Sequence, residues 1–149
     1  MDTLASLEGM CNCTAIRKAA RYLTASYDKI LAPANLRATQ FTILQKLAVN
    51  GQTSITKLAT KIGMDRTTLA SNLKPLEREG LVTVATSAGD RRTRNIEITE
   101  SGRARLAKAL PLWKSAQARF EENFGATEAA ELRSRLRAVL DTGLDPWAE

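Results

Sequence analysis

The stretch Ala85–Gly102, ATSAGDRRTRNIEITESG, gathers Arg91, Arg92 and Arg94 in and beside a glycine-containing turn. A turn between strands needs only small, polar, flexible residues. Three neighbouring cations repel one another, so their crowding points to an anionic partner. The minor groove of DNA is narrow and focuses negative potential, above all over A·T-rich steps, and an inserted guanidinium gains there. Asp90, two positions before Arg92, is placed to hold that side chain extended through a charge-assisted hydrogen bond. The chemistry in prospect is electrostatic recognition rather than bond making.

The rest of the composition narrows the choice in the same direction. The chain has no histidine, which removes the commonest general base, metal ligand and physiological pH switch together. Ser-His-Asp and Cys-His mechanisms are thereby excluded, and the carboxylates form no inward-facing cluster, so no enzyme, cofactor or bound metal is expected. The reactive residues left are Cys11 and Cys13, in the run Cys11-Asn12-Cys13. Three readings stay open for them. They are small packing thiols, or an oxidant-sensing pair whose thiolates Arg17 and Lys18 favour, or half of a thiophilic metal site that only a second subunit completes.

These groups need elements to hold them. The 149 residues suit one domain, 1–149, and the net charge of +6 favours a polyanionic partner. No apolar run approaches the roughly 18 residues of a membrane span, and the first ten residues lack the pattern of a signal peptide. A cytoplasmic protein is the expectation. Apolar residues recur at helical spacing over Thr14–Leu31, with Pro33 closing that helix, and again from Leu36 to Asn50. A short helix follows with Ser54 as N-cap and Gly63 as its end; the next begins at the N-cap Asp65 and runs to Gly80. Leu81–Thr86 and Arg94–Thr99 read as two strands of a hairpin. Thr99 or Ser101 then caps a long helix reaching Phe124, with a kink or break expected at Pro111. Gly125 and Thr127 mark a turn and a new N-cap before a last amphipathic helix.

Two short helices joined by a tight turn, followed at once by a two-stranded hairpin, form the outline of a winged helix-turn-helix. Its second helix enters the major groove and its hairpin reaches the flanking backbone or minor groove. With Leu69, Leu73 and Leu76 turned inward, Thr67, Ser71, Lys74 and Arg78 fall on the opposite face of the Asp65–Gly80 helix. Small polar groups there can approach base edges, and cations suit phosphates. Arg66 and Thr68 project from the first turn. The candidate DNA-binding set is thus Ser54, Arg66, Thr67, Thr68, Ser71, Lys74, Asp90, Arg91, Arg92 and Arg94. An ordinary solvated helix face stands as the alternative for the helix residues.

SITKLATKIGMDRTTLASNLKPLEREGLV followed by GDRRTRNIEITESG resembles the multiple-antibiotic-resistance regulator (MarR) family. The sharpest part is Asp90-x-Arg92 followed by Ile96-x-Ile98-Thr99-x-x-Gly102. The resemblance implies a mainly α fold with a small β-hairpin wing, and a homodimer on a pseudo-palindromic double-stranded operator. The winged lobe would span 35–100, and segments 10–32 and 101–142 would supply the dimerisation helices. It also implies that Arg92 is the wing-tip arginine of the minor groove, with Asp90 supporting it. Family recognition helices often carry arginine where this chain has Ser71 and Pro75, which shifts base readout toward Arg66, Thr67, Thr68 and Lys74.

The function so implied is a sequence-specific transcriptional regulator, in the form of a homodimeric repressor relieved by a small aromatic or anionic ligand or by cysteine oxidation. Arg17, Tyr22, Phe41 and Trp113 are the effector-pocket candidates, each with plain packing as its alternative. A winged-helix module that binds protein and not specific DNA is the competing reading.

Overall fold

A computed structural model describes residues 3–87 and 89–148, leaving the side chains of Ser87, Asp90 and Arg91 outside the description. The chain opens with a 3-10 turn at Leu4–Leu7, then runs α1 (Asn12–Leu31), a second 3-10 turn (Ala32–Ala34), α2 (Ala38–Asn50) and a two-residue strand β1 (Thr53–Ser54). Next come α3 (Ile55–Ile62), α4 (Arg66–Arg78), β2 (Val82–Ser87), β3 (Asp90–Ile98), α5 (Glu100–Phe124) and α6 (Ala126–Val139). No helix among the described residues is long and apolar enough to cross a membrane.

The three strands form one antiparallel sheet in the order β1-β3-β2. Val82 pairs with Ile98 and Val84 with Ile96, while Thr53 meets Ile96 from the other side. A register irregularity lies between Thr86 and Ser87, where the hairpin narrows to the turn. The sheet buries Leu81, Val82, Ile96 and Ile98 against Leu58, Leu69, Leu73 and Leu76 of the helices, and Leu31, Leu44 and Leu47 continue the same core. Apolar residues at period two on the strands and at helical period on α2 and α4 thus share one interior.

Several local expectations meet the observed chain with amendments. The first helix starts two residues earlier than Thr14, because the Sγ of Cys11 accepts the Thr14 backbone N–H and serves as its N-cap. A third strand, β1, joins the expected hairpin; its two residues are too short to show alternation in the sequence. Pro111 does not break α5, which runs unbroken from Glu100 to Phe124; Ala107, whose carbonyl loses its helical partner, is an exposed residue. Pro75 sits three residues before the end of α4, and its forfeited partner, Ser71, is likewise exposed. Thr127 is not the cap of α6; the N-cap position is held by Gly125, with no side-chain hydrogen bond.

Candidate nucleic-acid interface

The turn between α3 and α4 is built by Gly63. Its backbone is left-handed, φ 75°, and its N–H together with that of Met64 returns to the carbonyls of Ala59 and Thr60. A side chain at that φ costs energy, which is why glycine ends α3. Ser54 caps α3 by accepting the Lys57 N–H at 3.2 Å, and Asp65 caps α4 by accepting the Thr68 N–H at 3.2 Å. These Thr68 hydrogen bonds hold the Asp65 carboxyl below the usual carboxylate range. The carboxylate also opposes the positive end of the α4 dipole.

The helix so started divides cleanly. Leu69, Leu73 and Leu76 are buried, whereas Arg66, Thr67, Thr68, Ser71, Lys74 and Arg78 are exposed along the opposite side. Asn72 donates to the Thr68 carbonyl at 2.8 Å, stiffening the first turns. α4 packs on α3 and on β2, so the polar face of α4 and the wing belong to one rigid unit. Ser54 serves as strand residue and helix cap at once, pairing with Asn95 of β3.

In the wing, Arg92 and Arg94 stand two residues apart on β3 and are both exposed. Arg94 pairs with Thr86 across the hairpin, and Arg92 lies in the stretch where the register shifts before Asp90 pairs with Ser87. Asp90 and Arg91 are strand residues. Their side chains, and with them the expected Asp90–Arg92 contact, fall outside the described residues.

The base of the wing explains the Ile96-x-Ile98-Thr99-x-x-Gly102 spacing. Ile96 and Ile98 enter the core at 0% and 7% exposure. Thr99 Oγ1 accepts the Gly102 N–H at 3.0 Å to cap α5 and donates to the Gly80 carbonyl, while its own N–H reaches Leu81 O at 3.1 Å. Gly102 is buried where a Cβ would lie 2.2 Å from the Leu81 carbonyl oxygen. The glycine lets α5 leave hard against the start of β2 and the end of β3, and so fixes the wing to the long helix.

α1 and α5 carry the lobe, and α6 packs on α5. Asp28 accepts the Ala38 N–H at 2.7 Å, tying α1 to the start of α2. Arg105 donates to Asn35 O at 3.0 Å and lies 3.5 Å from Glu79, tying α5 to both ends of the lobe. The Tyr27 hydroxyl donates to Gln117; burial first, then the charge of Glu121, push its phenol up, with Arg133 opposing. Of the four effector candidates, Phe41 and Trp113 stack with centroids 5.8 Å apart at the α2–α5 junction, and Phe41 is buried. Arg17 and Tyr22 remain on the exposed surface of α1.

Cys11 and Cys13 are both free thiols and both exposed. Hydrogen bonding from Thr14 lowers the Cys11 thiol below its ordinary range, consistent with a sulfur at a helix N-terminus. Among the described residues, no three Cys, Asp or Glu side chains come together as a metal-holding group.

Comparison with known proteins follows the same geometry. The MarR family model matches residues 36–93, the segment from the start of the lobe into the wing. The HTH-type transcriptional repressor NicR of Pseudomonas putida is 28% identical over 127 residues, which cover 85% of this chain and 80% of NicR. The M. tuberculosis transcriptional regulator MosR, solved in complex with DNA, is similar with a TM-score of 0.78 and 38% identity, covering 90% of this chain and 99% of MosR. The transcriptional repressor CouR, bound to a DNA duplex, is similar with a TM-score of 0.79 and 27% identity, covering 94% of this chain and 99% of CouR.

Proposed function

The chain belongs to the MarR family of DNA-binding transcriptional regulators, and from that premise we propose that it acts as a homodimeric repressor on a pseudo-palindromic operator. One observation carries the reading: the exposed face of α4 and the exposed Arg92 and Arg94 belong to a single packed unit. Such a unit sets a helix into the major groove while its wing meets the adjacent minor groove. Arg66, Thr67, Thr68 and Lys74 read base edges, while Ser54 and Ser71 contact the phosphate backbone. Arg92 enters the minor groove, and Asp90, Arg91 and Arg94 complete the wing. The target places the protein's work in the cytoplasm, and it is not an enzyme.

The dimer is formed through segments 10–32 and 101–142, with 35–100 as the DNA lobe. Leu110, Phe124, Leu136 and Val139 are each at least 40% exposed in the single chain, and two-fold pairing of α1, α5 and α6 covers them. A single lobe contacts few phosphates; two lobes about a dyad double the contacts.

Release is set by a small aromatic or anionic effector near the Phe41–Trp113 junction, by oxidation at Cys11 and Cys13, or by both. Support for the second comes from the exposed, hydrogen-bonded Cys11 thiol beside an exposed Cys13. Either signal must favour one spacing of the two reading helices over another, since only a differential affinity shifts the equilibrium.

The test is an affinity titration against a duplex selected from a randomised library, run across a salt series. Arg92→Ala is expected to weaken binding about tenfold or more and to make the salt dependence shallower by about one ion. Unchanged affinity and slope for every duplex would overturn the wing assignment. The same titration under reducing and oxidising conditions separates the two release signals.

A further inference from the structure

A cleft of about 780 Å3 has one wall made by the start of the reading helix and the other by the C-terminal segment. Ala59, Met64, Arg66 and Thr67 line the first wall; Leu140, Leu144 and Trp147 line the second. The segment is not a loose end. Thr142 donates to the Val139 carbonyl at 2.8 Å, and the Trp147 N–H donates to Asp145 at 2.9 Å, folding residues 139–147 into consecutive turns. Its apolar side chains nonetheless stand in water: Leu140 is 73% exposed, Leu144 83% and Trp147 55%.

We propose that residues 143–147 are an autoinhibitory strap that closes on the α3–α4 turn and competes with DNA for the start of the reading helix. The device rests on the reading that α4 enters the major groove. Closure takes the exposed Leu144 and Trp147 out of water against the half-buried Met64, behind which Ala59 is already buried. In doing so it covers Arg66 and Thr67, the residues that must reach bases and phosphates. The open geometry leaves both exposed and is the DNA-competent state. The strap follows closely after α6, so whatever repositions α6 also shifts the balance between closed and open forms. When only part of the population is competent, apparent affinity falls by that fraction.

Two variants of the full protein test this against the duplex selected by the parent. One ends at Thr142; the other, Leu144→Ser with Trp147→Ser, keeps every charge. Both are expected to bind DNA about threefold to tenfold more tightly, the gain available when the strap is closed in most molecules. Their salt slope should match the parent's, because no phosphate contact changes. On adding DNA to a Trp113→Phe background, Trp147 emission should shift toward that of a solvent-exposed indole. Equal or weaker DNA binding in the charge-preserving variant overturns the strap, as does tighter binding confined to the truncation, which would be an effect of the lost acidic residues. A dimer that dissociates on truncation also overturns it, since the segment would then cover a partner subunit. A parent chain that selects no duplex defeats the DNA reading itself, whereas a parent that binds through Arg92 but is indifferent to both variants defeats only the strap.

Discussion

The DNA lobe and the three long helices differ in what they do with their apolar residues. In the lobe, Leu44, Leu47, Leu69, Leu76 and Ile96 are fully buried within the single chain. In α5 and α6, the buried residues are small, Gly102, Ala109, Ala116 and Ala129, while Leu136, Val139 and Phe124 stay between 42% and 47% exposed. The lobe is therefore complete as it stands, and the helices are complete only when another surface covers them. Stability and assembly are stored in different parts of the same sequence.

That contrast can be broken or sharpened by substitution. The largest effect belongs to the lobe interior. Leu69→Ala removes a fully buried side chain and should cost about 2–5 kcal/mol by chemical denaturation. Leu136→Ala should leave the denaturation of dilute monomer nearly unchanged and instead weaken self-association in sedimentation. Equal losses of monomer stability from both would erase the distinction. Next comes the joint between the regions. Gly102→Ala drives a methyl onto the Leu81 carbonyl and should cost about 1–3 kcal/mol, with chemical-shift changes concentrated at Leu81 and Ile98. A silent Gly102→Ala would mean that the wing and α5 are not rigidly joined.

The smallest effect is the cap. Asp65→Ala should lower Tm by a few degrees. Because its folded pKa is depressed, the contribution of Asp65 is full above the unfolded carboxylate value and is lost as pH falls through the folded one. The Tm gap between parent and variant should therefore hold at neutral pH and close in acid, below about pH 4. A gap that persists at low pH would assign the effect to packing, not to the ionised cap.

Much of this arrangement was readable from residue order. Period and punctuation mark the helices: Ser54, Asp65 and Thr99 cap the elements that follow them, and Gly63 ends α3 where left-handed backbone is needed. The same wheel that turned Leu69, Leu73 and Leu76 inward left Thr67, Ser71 and Lys74 outside. What escaped were features without local periodicity or with non-local partners. β1 is two residues long and exists only because β3 offers it an edge at Asn95 and Ile96. Cys11 became a helix cap because Thr14 lies one turn on, a role its residue type does not advertise. Pro111 looks like a breaker in sequence, yet α5 carries it where its unpaired carbonyl belongs to an exposed residue.

Sequence alone determined most of the inventory: the helices and the two hairpin strands, which faces are greasy, and that cations gather at one hairpin. These follow from short-range sterics, capping and hydrophobic period, which act within a few residues. Only the tertiary structure decided that Gly102 must be glycine, since the obstructing atom is the carbonyl of Leu81, 21 positions earlier. It alone also set the C-terminal segment across a cleft from Arg66. Distance along the chain does not predict such meetings, because packing brings together whatever surfaces fit.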